Sequence, residues 1–196
     1  MNKDLSELLR SIYEFGQEHD SVNKTHSEQM LNITPDTGEF LSILIQAVKA
    51  TKVLEVGTSN GYSTIWMADA LRNTGGCVTT LEISQDKTEM AKSNFVSSGL
   101  SEFIDLQLGD IRTFLKSQID ESFDFIFLDA ERPQYSSYWR DIDRVLKKRC
   151  LLVVDNALSP KPEELEDFFK LVKDSNRYLI QTIQVGKGET IALKQR

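Results

Sequence analysis

"KVLEVGTSNGYST", residues 52–64, is a short apolar, β-rich run that breaks into a turn and then into helical residues. Gly57 and Gly61 fall in that turn. Glycines there let backbone approach a ligand closely, and free N–H groups at the helix start can hold an anion. The spacing is Gly-x-x-x-Gly, which differs from the Gly-x-Gly-x-x-Gly of a dinucleotide site. The strand–turn–helix unit then recurs. β-rich runs stand at 52–56, 77–82, 104–108, 124–128 and 150–154, with helical patterns between them at 61–72, 85–98, 110–118 and 134–147. A helix over 161–174 and two more strands near 178–184 and 189–194 follow, the last two joined by a hairpin-like "VGKGE". Strands alternating with helices predict a doubly wound α/β fold with a mostly parallel sheet. Continuous apolar strands such as "FIFL" agree with burial on both faces.

Upstream, Leu5, Leu8, Leu9, Ile12 and Phe15 have helical spacing over residues 4–18. "ITPDTGEFLSILIQAVKA" reads as a second helix, with Thr34 as cap, Pro35 in the first turn and Asp36 at the positive end of the dipole. The polar, aperiodic segment from His19 to Asn32 is expected to be a mobile arm, and 1–36 to cover the active site of one domain spanning 1–196.

The chain has 196 residues, 40% hydrophobic and 27% charged, with a net charge of −7. Those values suit one globular domain with a sizeable core and argue against a nucleic-acid partner held mainly through phosphates. Cys77 and Cys150 each open an apolar run and are expected to be buried free thiols in a reducing compartment. The charged start without an apolar core reads as no signal peptide, and no run nears the roughly 18 apolar residues of a membrane span. A cytoplasmic protein is expected.

Ligands of such sheets bind beyond the carboxyl ends of the strands. Here those ends carry Gly57, Glu82, "GDI" at 109–111, Asp129, and Asp155 with Asn156. An acid like Glu82 after the second strand can accept both hydroxyls of a ribose. Asp129, Asp155 and Asn156 are hard oxygen donors, which suit Mg²⁺ or Ca²⁺ if their strands are neighbours. Read singly, Asp129 could instead pair with Arg132 and Asp155 could cap a loop.

Together, "MLNITPDTGEFL", "VLEVGTSNGYST", "TTLEIS", "LGDI", "FIFLDAERPQY" and "LVVDNALS" resemble the cation-dependent O-methyltransferases of the catechol and caffeoyl-coenzyme A type. The resemblance covers almost the whole chain. It implies a Rossmann-like sheet of order 3-2-1-4-5-7-6 with strand 7 antiparallel, and S-adenosylmethionine as cofactor. By position, the Ile33 backbone and Ser63 would hold the carboxylate end of that cofactor. Glu55, Gly57 and Thr58 would line its methionine portion, Glu82 would take the ribose, Asp110 and Ile111 would border the adenine, and Glu131 would make a further contact. Asp129, Asp155 and Asn156 match the metal ligands, with Mg²⁺ first and Ca²⁺ or Mn²⁺ as alternatives. The implied reaction is in-line methyl transfer to a hydroxylated aromatic small molecule with adjacent hydroxyls, ionised by the cation. A homodimer is a family-level expectation.

The chain departs from the family at three places. Arg132 stands where a lysine is read as general base, and an arginine cannot accept a proton. It could stabilise a developing phenolate or pair with Asp129 or Glu131. Pro160 replaces a residue able to contact substrate, and the pre-helical arm is short. Two other functions stay open: methylation of a hydroxylated tRNA base, against which the acidic balance speaks, and a silent S-adenosylmethionine-binding protein. A nicotinamide dehydrogenase is disfavoured by the glycine spacing. Tyr135, Tyr138 and Trp139 are expected mainly in the core, with Tyr135 the one nearest the pocket. His19 and His26 are expected to be exposed, and "KKR" at 147–149 to be a solvated face.

Overall fold

Apolar residues at both parities along the central strands need cover on both faces, and the chain supplies it. The computed structural model describes residues 3–23 and 25–195. Met1, Asn2 and Lys24, parts of the expected arm, and Arg196 lie outside the described residues. The order is α1 (Lys3–Val22), α2 (Pro35–Ala47), β1 (Lys52–Val56), α3 (Tyr62–Thr74), β2 (Cys77–Glu82), α4 (Gln85–Ser98) and β3 (Ile104–Leu108). Then come α5 (Ile111–Ser117), β4 (Phe123–Leu128), α6 (Tyr135–Val145), β5 (Leu146–Val154), α7 (Glu166–Asp174), β6 (Tyr178–Ile183) and β7 (Glu189–Lys194). The sheet has seven strands in the order β3-β2-β1-β4-β5-β7-β6. β7 runs antiparallel to both β5 and β6. The expected doubly wound fold and strand order are therefore those observed.

Successive residues of each central strand feed opposite layers. Val53, Phe125, Phe127 and Val153 pack under α1 to α4, against Leu9, Leu41, Ile65 and Phe95. Leu54, Ile126, Leu128 and Leu152 pack under α5 to α7, against Leu115, Ile142, Tyr135 and Phe168. All four residues of the run Phe125–Leu128 have no exposed surface. At about 1.5–3 kcal/mol for each fully buried side chain, this run fixes the position of whatever follows it.

Register decides what meets at the carboxyl edge. Val56 is level with Leu128, and Leu128 with Val154. The next residues, Gly57, Asp129 and Asp155, therefore stand in a row. The Asp129 amide donates to the Val56 carbonyl at 2.9 Å, and the Asp155 amide to the Leu128 carbonyl at 3.1 Å. Because β7 is antiparallel, its first residues reach the same edge: Thr190 is level with Val154.

Four local expectations need correction. α1 runs past its expected end at residue 18 to Val22, and within it Gly16 lies against the Asn32 side chain, where a Cβ would collide. The returning arm is tied to that helix end, with the Met30 and Leu31 amides donating to Asp20 carboxylate oxygens at 2.7 and 2.8 Å. β5 starts at Leu146, so "KKR" lies inside it, at a register irregularity that leaves Lys148 and Arg149 exposed. Residues 161–174 divide into a 3-10 turn, Pro162–Leu165, and α7. Thr34 is the cap residue of α2, but its side chain caps no amide and donates instead to Thr37 Oγ1 at 3.1 Å. Both cysteines are free and half-buried. Among the described residues, no helix is long and apolar enough to cross a membrane.

Candidate active site

The first strand turn is shaped by two backbone positions that exclude side chains. Gly57 has φ +104°, and a Cβ on it would run into the Asp129 carbonyl. Gly61 has φ +85° and would strike the Phe95 ring. These glycines bring β1 and β4 close at the edge and let α3 begin at once. The turn is also a tether: Ser59 Oγ donates to the Met30 carbonyl at 2.7 Å, and Lys87 Nζ to the Gln29 carbonyl at 2.7 Å. The arm, expected to be mobile, is therefore held over the turn.

Beneath the turn lies Glu55, with no exposed surface. Its carboxylate accepts hydrogen bonds from the Ser63 and Thr64 hydroxyls and from Thr80 Oγ1, the last at 2.6 Å. Burial pushes this carboxyl up to about 7, although the three hydroxyls pull the other way. Glu55 is engaged by the turn from below and is not among the residues lining the cavity, whereas its partner Ser63 is.

A cavity of about 500 Å³ opens along the carboxyl edge, within the range of small-molecule sites. Ile33, Gly57, Thr58 and Ser63 line it near the turn. Glu82, Asp110, Ile111 and Glu131 line it beyond β2, β3 and β4. Glu82 is aimed by three amides: Oε2 accepts from Ser59 N at 2.8 Å, and Oε1 from Ile83 N and Ser84 N at 3.0 and 2.9 Å. Asp110 caps α5 by accepting from Thr113 N at 3.1 Å. Glu131 accepts from Gln134 Nε2 at 2.5 Å. Among the aromatic candidates, Tyr138 lines the cavity. Tyr135 is buried, and its hydroxyl donates to the Ala130 carbonyl at 3.1 Å. His26 is exposed on the cavity rim, whereas His19 is half-buried beside Asp20.

At the other end the acids converge. Asp129 is on the cavity wall, Asp155 is buried behind it, and the Asn156 amide nitrogen donates to Asp155 Oδ2. Burial, then the charge of Asp155, holds the Asp129 carboxyl well above the usual carboxylate range. Glu189, the first residue of β7, is a third acid in this group. It has no exposed surface, accepts from Thr37 Oγ1 at 3.1 Å, and is pushed up to about 11 by burial and then by Asp155. Strand spacing alone did not single it out, although the antiparallel position of β7 in the expected sheet order brings that residue beside Asp155.

This donor set fits a divalent cation. Two carboxylates in contact need a proton or a cation between them, and neither forms an ion pair with Lys or Arg among the described residues. Asn156 Oδ1 is a buried acceptor without a hydrogen-bond partner. Among the described residues, no three His, Cys, Asp or Glu side chains form a complete cage. Two carboxylates and an amide oxygen leave positions for water or substrate, as a hard cation such as Mg²⁺ requires.

Arg132 lines the cavity but takes neither of the ion pairs the sequence left open for it. Its Nη1 donates to the carbonyls of Asn156 at 3.0 Å and Pro160 at 2.5 Å, and its Nη2 pairs with Glu164 Oε2 at 2.9 Å. The guanidinium clamps the loop that carries Asn156 and pairs with neither Asp129 nor Glu131. Asn156 itself is held at φ +58°. Pro160 lines the cavity.

A family model described as O-methyltransferase matches residues 6–195. A protein of Niastella koreensis named catechol O-methyltransferase is 35% identical over 131 residues, 65% of this chain and 59% of that protein. Caffeoyl-CoA O-methyltransferase 2 of Petunia hybrida is 28% identical over 195 residues, 89% of this chain and 80% of that protein. Three of the curated relatives are matched over only 59%, 57% and 55% of their own length. An O-methyltransferase of Bacillus cereus, solved in complex with SAH, superposes with a TM-score of 0.83 at 26% identity. That alignment covers 100% of this chain and 93% of the other.

Proposed function

The chain belongs to the O-methyltransferase family, and we propose that it transfers a methyl group from S-adenosylmethionine to a hydroxyl of a catechol-like aromatic, with a divalent cation at the acid cluster. The observation that carries this reading is the row Gly57, Asp129, Asp155. One cavity joins a glycine turn and the ribose-type acid Glu82 to Asp129 and Asn156, with the Asp155 carboxylate buried against Asp129. The catechol and caffeoyl-CoA relatives and the SAH-bound neighbour support the cofactor and the substrate class.

In this reading Glu82, aimed by its three amides, accepts the ribose hydroxyls. Gly57 and Thr58 give close backbone approach for the methionine portion, and the Ile33 backbone and Ser63 meet its carboxylate end. Asp110, Ile111 and Glu131 border the adenosine end. Asp129, Asp155 and Asn156 would hold the cation, with Arg132 fixing the loop of the third. When bound, the cofactor offers an electrophilic methyl on a sulfonium, and the cation makes a nearby hydroxyl more acidic. The protein contributes positioning, exclusion of water by the tethered arm, and the electrostatics of the cluster.

The test is methyl transfer over a catechol panel with EDTA or added Mg²⁺, alongside calorimetric titration of S-adenosylmethionine. Transfer that requires Mg²⁺ is expected. Undiminished transfer in EDTA removes the cation from the reading. Cofactor binding with no transfer under any cation overturns the enzymatic reading in favour of a silent binding protein. Asp155→Ala should abolish transfer and leave cofactor affinity largely intact.

A further inference from the structure

We propose that Lys187, at the tip of the β6–β7 hairpin, is a catalytic residue whose ammonium pairs with the ionised oxygen of the hydroxyaromatic substrate. This rests on the reading of the cavity as a hydroxyl-methylating site.

Three observations carry it. First, Arg132 is turned to the loop after β5: its Nη1 donates to two carbonyls there and its Nη2 pairs with Glu164. Second, Lys187 lines the same cavity as Asp129 and Asn156, and its positive charge acts on Asp129. It has no ion pair or side-chain hydrogen bond among the described residues, so its ammonium is available to a ligand. Third, its backbone is pinned from two sides. The Gly186 amide donates to Asp36 Oδ2 at 3.0 Å, and on the other side Leu158 N donates to the Lys187 carbonyl at 3.1 Å and Ala157 N to that of Gly188 at 2.8 Å.

Charge counting shows why the reaction needs such a group. Asp129 and Asp155 cancel a bound dication, and Glu189 adds either nothing or a further negative charge. Apart from the cofactor's sulfonium, which loses its charge in the transfer, an ionised hydroxyl beside them has no net positive partner, and Asp36 and Glu131 nearby make the field more negative. Lys187 supplies the missing charge without having to accept a proton. The hydroxyl proton leaves to solvent and the oxygen forms its bond to the methyl carbon. The carbon–sulfur bond breaks, and its electron pair turns the sulfonium into a neutral thioether. The oxyanion becomes a neutral ether, so Lys187 holds the reactant better than the product.

The experiment uses 4-nitrocatechol, whose ionised form absorbs in the visible, bound to the full chain with S-adenosylhomocysteine and Mg²⁺. The pH midpoint for ionisation of the bound probe should lie below that of the free probe. Lys187→Gln should raise that midpoint by about one to three pH units, the effect of removing an adjacent opposite charge, and Lys187→Arg should restore it. An unchanged midpoint in Lys187→Gln, or a wild-type complex that does not ionise the probe, overturns the proposal. If the midpoint depends on Lys187 but no methyl is ever transferred, the assigned reaction fails and the anion site stands. If transfer proceeds and the midpoint ignores Lys187, the assigned reaction stands and this role fails. Lys187 is exposed, so circular dichroism of the variants should match wild type.

Discussion

Arg132→Lys separates two accounts of the loop after β5. If position 132 calls for a base, lysine restores one and the rate rises. The clamp geometry leads to the opposite expectation. Arg132 reaches two carbonyls and a carboxylate at once, and its side chain is 13% exposed against 24% for Glu164. A lysine ammonium is a point donor on a flexible stem and cannot span three acceptors in that fork. Losing one charged hydrogen bond removes about 1.5–3 kcal/mol of support from the loop. If all of that favoured the cation-binding arrangement of Asn156, cation affinity would fall by roughly tenfold to a hundredfold, since 1.4 kcal/mol is a factor of ten. This is an upper bound, because only the shift out of the competent conformer is felt. In a domain of this size the same loss lowers Tm by roughly 5 °C. The assay is calorimetric titration with Mg²⁺, with methyl transfer and thermal unfolding on the same preparations. A faster enzyme with unchanged Tm and unweakened Mg²⁺ binding would refute the clamp and return position 132 to proton transfer.

Glu55→Gln tests the buried acid under the glycine turn. The folded carboxyl is raised to about 7 from 4.5, so the folded state binds more protons between those values, and the stability this group contributes is fully present below pH 4.5 and is lost as pH rises to about 7. The full difference is about 3 kcal/mol, so urea unfolding in EDTA between pH 5 and 7.5 should show a steeper loss in wild type than in the variant; parallel profiles would remove Glu55 as the source. Gly57→Ala adds a Cβ against the Asp129 carbonyl at a positive φ and should cost about 3 kcal/mol or more, with methyl transfer lost in whatever still folds; a Tm within 2 °C of wild type would contradict the close approach. Asp155→Asn removes the like charge beside Asp129, so it should raise Tm in EDTA while abolishing the rise that Mg²⁺ gives wild type, about 2.7 kcal/mol at a hundred times Kd. A variant that still gains stability from Mg²⁺ would move the cation elsewhere.

The alternation of strands and helices and the residues at each strand end were readable because both depend on local backbone pattern. Uninterrupted apolar strands such as Phe125–Leu128 must be central, but which of them are neighbours followed from the family resemblance, and with that order their ends bring Gly57, Asp129 and Asp155 together. What escaped the sequence depends on side-chain commitments across long separations. Nothing in the sequence around Glu55 shows that three hydroxyls, from α3 and β2, converge on its buried carboxylate. Tyr135 and Tyr138 are three apart on one helix, so periodicity puts both on the same face. Only the engagement of the Tyr135 hydroxyl by Ala130 turns one inward and leaves the other at the cavity. α1 overran its expected end at residue 18 because its last turn carries Asp20, whose carboxylate takes the Met30 and Leu31 amides of the returning arm, a contact that no local pattern shows.

The reading of Arg132 shows how a substitution at one position redistributes roles around a site. An arginine there cannot take a proton, and read along the chain it looks like a loss. In three dimensions its fork bridges β4 to the loop after β5, so the third oxygen donor is held by a residue from the neighbouring strand end. The same loop is held from the other side by the hairpin that carries Lys187, through the Leu158 and Ala157 amides. Asn156 thus sits between two cationic residues, one consumed in fixing the loop and one left facing the cavity. A site built this way keeps an acidic cluster from expelling an anionic substrate by placing its free charge on a pinned hairpin. Its substrate preference should then follow the charge at position 187 more closely than the residue at 132.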